Sequence, residues 1–153
     1  MAVIYTGGTF DLPHRGHMRL LSHCRKIAGP DGEVVVALNT DEFIYEFKGR
    51  LPVMSYEERK AVIENLRFVS KVVPNAGGVD SKPTIMSVQP DFIVIGSDWA
   101  QKDYYTQMGF TQAWLDENNI TLCYVPYTQG ISTTQLKERV KKIKHPRHLR
   151  AKK

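Results

Sequence analysis

Apolar residues fall into two kinds of run that alternate along the chain. Short, continuous, β-branched runs cover Val3–Thr6, Val34–Leu38, Val69–Val73, Phe92–Ile95 and Thr121–Val125. Between them lie stretches with apolar positions at helical spacing: Arg15–Ala28, Tyr56–Leu66, Lys82–Val88, Thr106–Glu117 and Thr133–Ile143. A strand with one wet face alternates apolar and polar residues, so the continuous runs predict strands buried on both faces. Strands separated by helices join through right-handed crossovers. The pattern therefore predicts one α/β domain: a doubly wound, five-stranded parallel sheet with helices on both faces. Pro30-Asp31-Gly32, Pro74-Asn75-Ala76-Gly77-Gly78 and Gln89-Pro90-Asp91 read as turns between the units. Ligands of such sheets gather at the carboxyl ends of the strands, near the point where strand order reverses.

Charge changes this picture less than its total implies. The chain of 153 residues carries a net +5, but residues 141–153 hold seven Lys and Arg and no acid. The other fourteen Lys and Arg face sixteen Asp and Glu, which leaves residues 1–140 at −2. The basicity belongs to a tail, predicted to be mobile over 144–153 beyond a folded domain of 1–143. It gives the domain no nucleic-acid surface. No apolar run approaches the ~20 residues of a membrane span, and the first residues lack the pattern of a secretory signal. Cys24 and Cys123 are the only cysteines and form no C-x-x-C pair. They read as free thiols in a reducing, cytoplasmic setting.

The chemistry concentrates after the first strand, where Gly7-Gly8 leads through Thr9-Phe10-Asp11-Leu12-Pro13 to His14-Arg15-Gly16-His17. A strand, a glycine turn and a helix start form an anion site from free backbone N–H groups and the helix dipole. Two imidazoles add donors for phosphate oxygens as charge builds on them. Zinc is the rival reading of two histidines three apart, but no third ligand stands at suitable spacing. Gly8 permits close approach, Thr9 offers a backbone donor and Phe10 packs beneath. Asp11 reads equally as a turn cap or a ligand-facing group. Lys48, Gly49 and Arg50 read as a charged loop. Ser55 and Glu58 form a capping box, which leaves Arg59 without a capping role and its guanidinium suited to a phosphate. Arg67 follows two turns later on the same face. Asp98, Trp99 and Lys102 follow the fourth strand at the ligand edge. Ser132, Thr133 and Thr134 open the last helix as a second phosphate cradle.

Gly8-Thr9-Phe10-Asp11-Leu12 with His14-x-Gly16-His17, Thr40-Asp41-Glu42-Phe43, Ser55-Tyr56-Glu57-Glu58-Arg59-Lys60, Gly96-Ser97-Asp98-Trp99 and Gly130-Ile131-Ser132-Thr133-Thr134 occur in a meaningful order. Together they resemble the cytidylyltransferase-like nucleotidyltransferases, in the glycerol-3-phosphate cytidylyltransferase branch, over roughly the first 140 residues. The resemblance implies a Rossmann-like domain that moves CMP from CTP to a small phosphorylated alcohol, glycerol 3-phosphate being favoured, and releases pyrophosphate. It implies that His14 and His17 hold the triphosphate and stabilise the pentavalent α-phosphorus, and that Lys48 is catalytic. Arg59 and Arg67, with Lys48, would take the acceptor. Gly8, Thr9, Phe10, Asp11, Asp98, Trp99, Thr128, Ile131, Ser132 and Thr133 would take the nucleotide. Mg²⁺ would accompany the triphosphate, with no metal site of the protein's own, and the protein would be a homodimer. The alternatives are an adenylyltransferase using ATP on a sugar phosphate or FMN, and a nucleotide-binding module without turnover. Two departures bear on the acceptor and on affinity. Tyr127 stands where the branch has an arginine, and 75–83 lacks the branch's tryptophan.

Overall fold

The computed structural model describes residues 1–77, 80–98 and 103–143. β1 (Val3–Gly8) leads into α1 (Arg15–Ala28) and β2 (Glu33–Asn39); α2 (Asp41–Lys48) and α3 (Tyr56–Glu64) precede β3 (Lys71–Asn75). Then α4 (Lys82–Val88) crosses to β4 (Phe92–Gly96). α5 (Tyr104–Met108), α6 (Gln112–Glu117), β5 (Thr121–Val125) and α7 (Thr133–Lys142) follow. The strands form one five-stranded sheet in the order β3-β2-β1-β4-β5, every neighbouring pair parallel. Strand order reverses between β1 and β4, so the carboxyl end of β1 lies at the switch point of a Rossmann-like domain.

The continuous apolar runs of the three inner strands are buried on both faces, as their pattern requires, whereas the edge strands β3 and β5 are only partly buried. Val34 to Leu38 of β2 are fully inaccessible. Tyr5, Ala37, Ile93 and Ile95 pack against Ile85, Tyr104, Phe110 and Leu115 on one face of the sheet. Ile4, Val34 and Val94 pack with Cys24 and Ala28 of α1 on the other, continued by Val36 and Leu38 with Leu21 and Ile63. Each such aliphatic side chain contributes roughly 1.5–3 kcal/mol by leaving water. This core fixes where the strand ends stand, and with them the loops that carry the chemistry.

Three elements differ from the sequence reading. β3 starts two residues later and runs through Pro74 and Asn75, whose turn-forming composition points beyond the strand. Pro74 is tolerated because β3 is an edge strand, where a missing N–H breaks no inner ladder. Residues 41–48 form a helix, with Thr40 Oγ1 accepting from Phe43 N and Gly49 ending it at φ 71°. The single helix expected over Thr106–Glu117 is two, because Gly109 at φ 73° stops α5 and Thr111 caps α6 afresh.

Candidate active site

The loop from β1 to α1 is strained and clamped. Phe10 (φ 51°) and Leu12 (φ 47°) both sit in the left-handed region, with Asp11 between them. Such a backbone persists only when its surroundings over-determine it. Here Asp11 does so: its carboxylate accepts from Val53 N (2.7 Å) and Met54 N (2.9 Å). Its carbonyl accepts from Thr133 Oγ1 (2.6 Å), which ties the loop to the first turn of α7. Asp11 is thus the knot of three segments and caps no turn of its own loop.

His14 and His17 replace the usual side chains of a capping box. His14 Nδ1 accepts from Gly16 N (3.0 Å), and His17 Nδ1 accepts from His14 N (3.1 Å). Because each Nδ1 is an acceptor, each ring carries its proton on Nε2. Burial pushes the His17 imidazole down to about 4; His14 nearby pushes the same way, and Asp11 opposes. Burial, then Arg15, also lowers His14. Both rings are therefore neutral at neutral pH and still donate through Nε2–H. Their centroids lie 3.9 Å apart. The glycine between them is required by space, since a Cβ at Gly16 would stand 2.8 Å from His14 Cε1.

A cavity of about 450 Å³ opens at the carboxyl edge of the sheet, a size that suits a small-molecule ligand. Gly8, Thr9, Phe10, Asp11 and His17 form one wall, and Thr133 and Thr134 in the first turn of α7 form another. Lys48, Arg50 and Lys137 bring three cations to it, and Asp98 lines it beside Gly96. Lys48 is the last residue of α2 and belongs to no loop; burial lowers its amine, as do Arg50 and Lys137, against Asp11. Lys137 Nζ lies 4.0 Å from Asp11 Oδ2. Ser132 caps α7 by accepting from Gln135 N. Thr128 is buried and Ile131 packs beside Gly16, both outside the cavity wall. Tyr127 is half-exposed and lies against Gly96. Trp99, Lys102 and the basic tail lie outside the described residues.

Arg59 and Arg67 require a correction. Arg59 is fully buried behind the cavity and points at protein. Its Nε donates to Met54 O (3.0 Å) and its Nη1 to Thr9 O (2.9 Å) and Asn39 O (2.8 Å). Its Nη2 pairs with Asp41 Oδ1 at 2.6 Å. It buttresses the β1–α1 loop, with four of its five N–H groups given to protein acceptors. Arg67 is exposed with its guanidinium over the Phe68 ring, away from the cavity. Sequence reasoning also passed over Asn39, Asn75 and Lys137. The first two close β2 and β3, so the rule that ligands gather at strand carboxyl ends already pointed to them. Lys137 lies one helical turn after Thr133, on the same face of α7.

The family model described as Cytidylyltransferase-like matches residues 5–139. The chain is 34% identical over 140 residues to the glycerol-3-phosphate cytidylyltransferase of Bacillus subtilis, covering 92% of this chain and 98% of that one. It is 30% identical over 147 residues to the FAD synthase of Korarchaeum cryptofilum, covering 92% of each. Among solved structures, the lipopolysaccharide core biosynthesis protein of Thermoplasma volcanium superposes with a TM-score of 0.63 at 25% identity. That match covers 84% of this chain and 99% of that one.

Proposed function

We propose that this chain, which belongs to the cytidylyltransferase-like family of nucleotidyltransferases, transfers CMP from CTP to a small phosphorylated alcohol, glycerol 3-phosphate being favoured. The observation that carries the reading is the convergence of neutral His17, the first turn of α7 and three cations on one cavity. An oxygen of the acceptor phosphate attacks the α-phosphorus, the bond to the β-phosphate oxygen breaks, and pyrophosphate leaves. The nucleophile is an anion at neutral pH, so no general base is needed. Catalysis is then alignment for in-line attack together with stabilisation of charge on the phosphoryl oxygens.

His14 and His17 donate Nε2–H to the α-phosphoryl oxygens in this reading. Lys48, Arg50 and Lys137 neutralise the acceptor phosphate and the leaving pyrophosphate. The free N–H groups of the α7 first turn hold the triphosphate chain. Mg²⁺ comes as part of the triphosphate substrate. Among the described residues no three His, Cys, Asp or Glu side chains converge to hold an ion. Both Asp11 oxygens already accept backbone N–H bonds.

A second reading rests on the apolar side of the cavity. Phe43, Phe47, Leu51 and Met108 line it, with Phe47 54% and Leu51 61% exposed. Such a wall favours an acceptor with a broad aromatic ring, and an adenylyltransferase acting on FMN would present one. A pyrophosphate-release screen tests both readings, crossing CTP, ATP, GTP and UTP with glycerol 3-phosphate, FMN and sugar 1-phosphates. The first reading expects release with CTP and glycerol 3-phosphate, the second with ATP and FMN. Binding of nucleotide without release in any combination would overturn turnover altogether.

A further inference from the structure

Asn75 is the residue through which the cavity has an unmet need. It ends β3 at 5% exposure, in register with Asn39 at the end of β2. Strand alternation places both on the face shared by Tyr5, Ala37 and Ile95. Asn39 Nδ2 donates to Thr9 Oγ1 (3.1 Å), and Asn75 Nδ2 donates to Asn39 Oδ1 (2.9 Å). In the orientation the structure gives both amides, each has its Nδ2 engaged. Asn75 lines the cavity, and its Oδ1 is buried with no hydrogen-bond partner among the described residues. Buried acceptors are nearly always satisfied, so one left open at a cavity wall is matched to a donor that arrives with a ligand.

The neighbourhood narrows the donor. Gly7 lies on the same face of β1, and its missing side chain leaves the space above the Tyr5 hydroxyl open. That hydroxyl is also buried and unpartnered among the described residues. Ser81, Tyr104, Gln107 and Met108 continue the lining on this side, and none is a carboxylate or a cation. Ser81 already donates its hydroxyl to Met108 O. The cations Lys48, Arg50 and Lys137 stand on other elements and serve the phosphates. We propose that Asn75 is a specificity-determining residue for the acceptor. Its Oδ1 accepts from an uncharged donor, a hydroxyl or a ring N–H, carried on the body of the acceptor beyond its phosphate. The inference rests on the nucleotidyl-transfer reading.

The test uses whichever of glycerol 3-phosphate, FMN or glucose 1-phosphate supports pyrophosphate release. Asn75→Leu is expected to raise the acceptor KM by about 10-fold, with the nucleotide KM nearly unchanged and a small fall in Tm from the lost bond to Asn39. In the wild type, an acceptor lacking the donor should show a similar penalty: 1,3-propanediol monophosphate for glycerol 3-phosphate, N3-methyl FMN for FMN, or a deoxyglucose 1-phosphate. That penalty should vanish in the variant. Equal turnover of the paired acceptors by the wild type overturns the proposal. So does an acceptor KM that stays put in Asn75→Leu, or one that rises only in step with the nucleotide KM and a falling Tm. Should the leucine variant fail to fold, Asn75→Ser and the wild-type analogue comparison decide the same question. Absence of release with every acceptor sinks the nucleotidyl-transfer reading itself.

Discussion

His17 and Arg59 bind the same loop from two sides, and both are nitrogen-rich groups packed among hydrogen-bond partners. At His17 the backbone occupies Nδ1 and leaves Nε2–H over, on a ring that lines the cavity and stays neutral. At Arg59 four of the five N–H groups go to Met54, Thr9, Asn39 and Asp41, and the side chain is sealed from water. The permanent cation does the structural work, balanced by one carboxylate. The group proposed to meet phosphate keeps a donor without carrying a charge that burial would oppose. Buried positive charge is thus a poor guide to the site in this fold. A donor left unused beside a cavity is the better one.

The comparison breaks most sharply at Arg59. Removing this buried guanidinium costs about 3–5 kcal/mol, because three carbonyls lose their donor and the part-exposed Asp41 its counterion. Arg59→Met is expected to lower unfolding stability by that amount in a urea titration, with activity lost only as the protein unfolds. A variant that melts like the wild type and raises only the acceptor KM would return Arg59 to the phosphate.

His17→Ala is the next largest effect, and it moves a different readout. Loss of one preorganised donor should lower kcat about 100-fold. Stability should fall by no more than the ~1 kcal/mol of a lost cap. Comparable losses in stability and rate would make His17 a scaffold residue like Arg59. pH sharpens the contrast further. The folded His17 pKa of about 4 lies below the ordinary 6.5, so between those values the unfolded chain binds the proton first. The contribution is fully present above pH 6.5 and lost as pH falls toward 4. NMR titration of the free protein should place the His17 midpoint near 4, with the neutral ring protonated at Nε2. A midpoint near 6.5 would remove the neutral-donor account.

These two regions also explain what could be read from the chain. The His14–His17 cap closes over two and three residues, so the helix and its start were legible in the sequence. The inner strands were legible because burial on both faces leaves continuous apolar runs. Arg59 makes its decisive contacts 18, 20 and 50 residues away, and Asp11 makes its own 42, 43 and 122 residues away. No local pattern announces such contacts. Without them a guanidinium near a phosphate motif reads as a phosphate ligand. Asn75 was hidden differently: Pro-Asn-x-Gly-Gly is turn chemistry, and only the edge position of β3 lets a strand run through it.

The smallest expected effect comes from adding what Arg59 does not provide, a cation with its donors free. Tyr127 is 42% exposed, its backbone N–H bound to Ser97 Oγ and its ring against Gly96 at the cavity margin. A phenol offers a phosphate one neutral hydrogen bond, worth about 1 kcal/mol, whereas a charge-assisted one is worth roughly 1.5–3. Tyr127→Arg is therefore expected to tighten CTP binding by up to ~10-fold, since 1.4 kcal/mol is one decade. Because the position is exposed, the gain should shrink as salt is raised, which a buried cation like Arg59 would not show. Acceptor preference should stay as it is. Calorimetric titration with CTP at low and high salt decides the matter. An affinity unmoved at low salt would mean that the triphosphate does not pass Tyr127 and that Lys48, Arg50 and Lys137 already complete the charge. A loss of turnover with affinity intact would instead give the phenol a role in shaping the pocket.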